Sequence, residues 1–191
     1  FNGMFAKASI KFNTVIANIE TYKTFGVLSN RKMQEAADRE IKTMHTKCVS
    51  ADELISALSG GNQQKVIIGK WLERQPDILL LDEPTTYLDL AHQVELLDLL
   101  ADLNEERGTT MIMVLHELNL AARVADYLIA MKDGQIVSRG SAHEVLTSRN
   151  LNDIFGLKAK VADPFSDGSV VVVPHHRYAR ASQKILDDVN P

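Results

Sequence analysis

Apolar residues in this chain recur at helical spacing in some stretches and form short unbroken runs in others, and the alternation of the two predicts helices set between strands. Residues 31–46 put Met33, Ala36, Ala37, Ile41 and Met44 on one stripe, which predicts a charged helix packed on its neighbours. Ser59-Gly60-Gly61 then leads into residues 62–75, where Val66, Ile67, Trp71 and Leu72 predict a second amphipathic helix ended by Pro76. Residues 77–82 are nearly all apolar, the pattern of a strand buried on both faces of a parallel sheet. A helix over residues 90–107 follows, with Leu90, Val94, Leu97 and Ala101 on one stripe and Gly108 as its stop, then a strand over 110–115 and a helix over 118–125. Residues 127–131 and 135–138 flank Lys132-Asp133-Gly134, a strong hairpin signal. Helical segments at 142–146 and 150–155, a strand at 169–173 and a terminal helix at 178–189 complete the pattern, and residues 1–30 are of mixed character. Strands alternating with helices argue for an α/β layered fold.

With 191 residues, 45% hydrophobic and 24% charged, the chain has the composition of an ordinary globular protein with one well-buried core. Its formal charge of -4, with 21 Lys and Arg against 25 Asp and Glu and no basic block, gives no electrostatic reason to expect nucleic acid. Cys48 is the single cysteine, so no disulfide can form within the chain. No charged-then-apolar leader appears, nor an apolar stretch of about 18 residues. A reducing cytoplasm fits best, with membrane contact made through another subunit. The start at Phe1, without an initiator Met, reads as a cut in something longer.

Four places carry candidate chemistry. Ser59, Gly60 and Gly61 sit where a loop enters a helix, so unpaired N–H groups and the positive helix end meet the Ser hydroxyl, which makes an anion site. Asp82 and Glu83 end a strand at the edge where open parallel sheets hold ligands, and strand alternation sends the two carboxylates in different directions. His116 closes the next apolar strand at that same edge, and Asp89 stands where a helix N-cap would. His175-His176 read as a solvated tail, and Trp71 and the methionines as core filling.

The run Leu58-Ser59-Gly60-Gly61-Asn62-Gln63-Gln64-Lys65 and the later Ile78-Leu79-Leu80-Leu81-Asp82-Glu83-Pro84 resemble the signature motif and Walker B strand of the ATP-binding cassette (ABC) ATPases. Thr85-Thr86-Tyr87-Leu88-Asp89 resembles the family's D-loop, and His116 its switch histidine. The resemblance implies a P-loop NTPase (RecA-like) core with a helical subdomain, ATP and Mg2+ as cofactors, and ATP hydrolysis coupled to solute uptake. It implies that Asp82 holds the metal through its water shell, that Glu83 polarises the attacking water and that His116 contacts the terminal phosphate. Ser59, Gly60, Gly61 and Gln63 would bind nucleotide, and Asp89 would communicate across a dimer. Its partners would be a second ABC ATPase subunit or domain and transmembrane permease subunits at the inner face of the cell membrane.

The resemblance covers most of residues 10–173 and divides the chain into a helical signature subdomain at 1–75, part of the ATPase core at 76–173 and a tail at 174–191. Residues to about 84 resemble monosaccharide importer ATPases and later ones iron-siderophore importer ATPases, so the chain reads as a chimera joined near Pro84 to Tyr87. None of the ten glycines begins a G-x-x-x-x-G-K-[ST] run, so the family's phosphate cradle, and the strand that carries it, are expected to be missing. That strand would lie between the one ending at His116 and the one at 127–131, and its absence leaves two strand edges unpaired. The resemblance therefore allows either a partial importer ATPase, inactive alone, or an interaction module that offers its signature motif to a complete cassette.

Overall fold

The first element lies in the stretch of mixed character. Ile10–Val15 form a short helix, α1, capped by Ser9, whose Oγ accepts from the N–H of Phe12 at 3.1 Å. Six residues are too few for a readable period, and α1 is held by distant partners instead: Ile10 packs with Ile55, Leu58 and Val66. A 3-10 segment, Ile16–Tyr22, leads to a small hairpin of β1, Lys23–Thr24, and β2, Val27–Leu28. These coordinates are a computed structural model describing residues 3–164 and 166–175; His176 and the helix expected at 178–189 lie outside them. The chain divides into two compact units, one ending at Leu115 and the other beginning at His116.

In the first unit, α2 spans Asn30–Thr43 and buries Ala36, Ala37 and Met44 from the expected stripe. α3 spans Gly60–Leu72, so it takes in both signature glycines and ends before Pro76; Glu73 is its C-cap, and Gln75 turns away at a φ of 51°. The stop therefore comes from a local turn rather than from the proline. α2 and α3 approach closely because residue 69 is glycine: a β-carbon there would stand 3.0 Å from Met44 Cγ and 3.2 Å from Glu40 Oε2. Trp71 is 44% exposed rather than core, because the face turned inward carries Val66, Ile68 and Leu72.

β3, Ile78–Asp82, and β4, Thr110–Val114, pair in parallel from Ile78 opposite Thr110 to Asp82 opposite Val114. Between them runs α4, Leu90–Arg107, closed by Gly108 in the left-handed conformation. Leu79 and Leu81 join Met44, Ile68, Leu72, Leu96, Leu99, Leu100 and Leu103 in the main cluster. The expectation of a strand buried on both faces is corrected, since Ile78 and Leu80 are 61% and 66% exposed. The helices cover one face of this two-stranded sheet only. The α4 stripe is corrected too. Leu90 and Ala101 are exposed, and the buried face is Leu96, Leu97, Leu99, Leu100 and Leu103. Leucine on so many sides of one helix hides its period.

The second unit begins with α5, Leu118–Val124, followed by a hairpin of β5, Leu128–Lys132, and β6, Gln135–Gly140. Its turn residues Asp133 and Gly134 both have positive φ, 51° and 75°, the geometry a D-G hairpin needs. Gly140 is required as well, because at its φ of 142° a β-carbon would collide with Glu144 Oε2, which closes the capping box at Ser141. α6, Ala142–Val145, α7, Ser148–Phe155, β7, Ala159–Ala162, and β8, Val171–Pro174, complete the unit, and β7 pairs antiparallel with β8. β7 was not expected from the sequence. Asn119 substitutes for a neighbouring strand at β8, accepting from the N–H of Val172 at 2.7 Å and donating to its carbonyl at 3.3 Å. Among the described residues β5 pairs only with β6, and β4 only with β3.

One charged group is buried where α2, α3 and α4 meet. Glu40 is 5% exposed, its Oε1 is 3.5 Å from Arg107 and its Oε2 has no hydrogen-bond partner. Burial raises its carboxyl from 4.5 to about 7; Arg107 opposes the rise and neighbouring Glu73 adds to it. The folded chain thus holds this proton more tightly than the unfolded chain, and stability should fall as pH rises from about 4.5 to about 7. Thermal unfolding across that window should show the decline, and Glu40→Gln should flatten it.

Candidate functional site

The signature turn and the start of α4 approach each other in the first unit, where the His92 ring lies beside Gly61. Ser59 is the N-cap of α3, with φ -61° and ψ 156°, yet its side chain caps no backbone N–H of the helix. Its Oγ accepts instead from Asn62 Nδ2 at 2.9 Å, and Asn62 Oδ1 accepts from the backbone N–H of Lys47 at 2.7 Å. The first N–H groups of α3 are thereby left without a side-chain cap at the positive end of a 13-residue helix. Ser59 and Gly60 are exposed, and a β-carbon on Gly60 would meet nothing within 4 Å. Gln63 folds back, donating Nε2 to the Leu58 carbonyl at 2.8 Å and stiffening the loop that enters the helix.

Asp82 ends β3 in the open, and Glu83 follows it outside the strand at a φ of 49°. Glu83 thus lies outside the strand in the left-handed region, so strand alternation does not set its direction, and a non-glycine residue there carries strain. Thr86 Oγ1 donates to Glu83 Oε2 at 3.0 Å, and the Thr86 N–H to the Glu83 carbonyl at 3.2 Å, so the acidic pair opens a tight turn. Gln93 Nε2 donates to the Leu88 carbonyl at 2.9 Å and holds the far end of this loop against α4.

Asp89 is the N-cap of α4: Oδ1 accepts from the His92 N–H at 2.9 Å and Oδ2 is 2.8 Å from His92 Nδ1. These bonds, the backbone one first, hold the Asp89 carboxyl below its ordinary range. The His92 ring stands over the side of Gly61 where a β-carbon would be, its Cδ2 3.4 Å from that position. One turn further along, Lys65 Nζ meets Glu95 Oε1 at 2.6 Å, and the hydrogen bond from Lys65 lowers the Glu95 pKa. Asn62, His92 and Glu95 were not singled out from the sequence, although an S-x-x-N run at a helix start resembles the spacing of a capping box and held a clue to the first.

The structure thus links the signature turn to Asp89 only through His92, whose ring lies beside Gly61, and sets Asp82 and Glu83 next to each other at the end of β3. His116 opens the second unit, two residues past the end of β4. Among the described residues no cluster of three or more His, Cys, Asp or Glu could hold a metal unaided. Mg2+ commonly takes one or two carboxylates and completes its shell with phosphate oxygens and water, and Asp82 fits that use. The uncapped turn of α3 fits a phosphate.

A parallel strand pair ending in Asp-Glu and a helix N-terminus without a side-chain cap belong to an α/β arrangement, and the solved structures that resemble it are ATP-binding cassettes of the P-loop NTPase fold. The ABC transporter family model matches residues 4–86. It is 62% identical over 117 residues to the galactose/methyl galactoside import ATP-binding protein of Treponema pallidum, covering 61% of this chain and 23% of that protein. It is also 40% identical over 154 residues to the ferric enterobactin transport ATP-binding protein of Escherichia coli, covering 80% and 57%. A metal-chelate type ABC transporter in an inward-facing conformation superposes with a TM-score of 0.76 at 26% identity, over 93% of this chain and 70% of that one. The chain spans less than two thirds of the length of both sequence relatives.

Removing either partner of the Lys65–Glu95 pair should have unequal effects. Lys65 is 5% exposed and Glu95→Ala leaves its ammonium only the His45 carbonyl at 3.4 Å, so that change should destabilise more than Lys65→Met, which removes the buried charge itself. Chemical denaturation of the two variants checks the order.

Proposed function

We propose that this chain is part of the nucleotide-binding, ATP-hydrolysing domain of an ABC importer, with its signature turn acting on nucleotide carried by a second ATPase subunit or domain. The observation that carries this reading is the first turn of α3, where Asn62 occupies the Ser59 oxygen and the helix N–H groups stay uncapped. In this reading the Ser59 hydroxyl and the N–H groups of Gly60 and Gly61 donate to phosphate oxygens across the dimer. On the chain's own side, Asp82 holds Mg2+, Glu83 orients and polarises the water, and His116 contacts the terminal phosphate. Bound MgATP would supply the phosphoryl group and the charge to be neutralised. Gln63 supports the turn, and Asp89, fixed on α4, relays its state across the dimer.

The functional partition we propose is a signature subdomain at 1–75, part of the ATPase core at 76–173 and a tail at 174–191. No helix among the described residues is long and apolar enough to cross a membrane, and we place the chain at the cytoplasmic face through permease subunits. The solute is a sugar or a ferric siderophore, since both kinds of importer are among the relatives. The family model stops at Thr86, inside the segment where we place the chimeric join.

A second reading keeps the signature turn and drops the hydrolysis. It is favoured by the missing G-x-x-x-x-G-K-[ST] run, whose lysine and N–H groups would hold the β and γ phosphates. One pair of measurements separates the two. Sedimentation of the chain with a complete cassette should show ATP-dependent association that Ser59→Arg abolishes; indifference to that change would overturn both readings. Joined to a phosphate-loop segment, the chain should hydrolyse ATP and lose at least about 100-fold in kcat on Glu83→Gln. Association without such hydrolysis selects the second reading.

A further inference from the structure

We propose that Asn62 is the positioning residue of the signature turn: held by the Lys47 N–H, its amide donates to Ser59 Oγ and turns the Ser59 hydroxyl proton outward, toward a phosphate. This inference rests on the proposed role of Ser59. Its starting point is a forced assignment. The N–H of Lys47 can only donate, so the atom 2.7 Å from it is the carbonyl oxygen of the Asn62 side chain, and the amide nitrogen faces Ser59 at 2.9 Å. A serine hydroxyl that accepts from an amide keeps its own proton for another acceptor.

The same contact has a second effect. Ser59 and Asn62 are N-cap and N3 of α3, the two positions of a capping box, in which the serine oxygen takes the N3 backbone N–H. Here the N3 side chain occupies that oxygen, and the helix is left without a side-chain cap. Asn62 therefore makes both kinds of donor available at one place, the hydroxyl and the backbone N–H groups. It also ties the turn to Lys47, on the segment leaving α2, so the hydroxyl is aimed before any ligand arrives. No phosphate contact is required of Asn62 itself.

Asn62→Asp tests this with little change in shape. The carboxylate still accepts from the Lys47 N–H but cannot donate to Ser59, and it draws the hydroxyl proton toward itself. The full chain and a complete ABC cassette are mixed with ATP, and the dissociation constant is read by sedimentation. Asn62→Asp should weaken ATP-dependent association by about 10- to 100-fold, the range for a hydrogen bond to a charged group, with an unchanged thermal midpoint. Asn62→Ala should weaken it about tenfold in the native background and leave it unchanged in a Ser59→Ala background, because the asparagine acts through that hydroxyl. Equal losses in the two backgrounds, or native affinity in Asn62→Asp, overturn this inference while leaving the role of Ser59 intact. A native chain whose association ignores ATP overturns both.

Discussion

The candidate site depends on how the leucine-rich face of α4 and the apolar face of α3 settle on one side of the β3–β4 pair. Leu79 and Leu81 offer that side, and Ile68, Leu72, Leu96, Leu99 and Leu100 fill it. Burying side chains of this size contributes roughly 1.5–3 kcal/mol each, more than any polar contact in the site. The packing sets the distance between the two helices. Only then can Lys65 reach Glu95 and the His92 ring stand over Gly61, placing the signature turn beside the first turns of α4.

Much of this was legible in the sequence because it is written locally. The D-G pair, Gly108 after the long helix and the stripe on α2 each act within a few residues, and the elements they predict are present. The signature and Walker B runs are equally local, which is why the turn at Ser59 that opens a helix and the acidic strand end could be placed in advance. What escaped depends on contacts at long separation. α1 is stabilised by Ile55 and Val66, the exposure of Ile78 and Leu80 depends on what covers the sheet, and the true face of α4 on which leucines the strands reach. Within the site, Asn62 escaped because half of its meaning lies in the Lys47 N–H, fifteen residues away.

The backbone at Glu83 adds a constraint of a different kind. A glutamate at a φ of 49° is less comfortable than a glycine would be, by of order 1–3 kcal/mol, and persists only when its surroundings over-determine it. Those surroundings are the turn bonds from Thr86 and the anchoring of Leu88 by Gln93. The Glu83 carboxylate is therefore part of the turn that follows the strand, bonded by the Thr86 hydroxyl, and not part of the sheet.

If the two sides of Pro84–Tyr87 descend from different importers, the contacts crossing that join must have formed between partners that did not evolve together. Their character makes this physically easy. Ile68 and Leu72 against Leu96, Leu99 and Leu100 is an apolar interface in which volume matters more than exact shape. Lys65 with Glu95 needs one opposite charge one turn into each helix. The contact of His92 with Gly61 leaves room for a methyl group and so tolerates small differences in helix position. The polar bonds around Ser59 and around Asp89 do not cross the join: Asn62 to Ser59 and Lys47 lies before it, and Asp89 to His92 lies after it, while the β3–β4 ladder that does cross it uses backbone groups that nearly any sequence supplies. A junction at this point separates two self-contained polar motifs, and what runs across it is apolar packing, the Lys65–Glu95 and Arg107–Glu40 pairs and a backbone ladder.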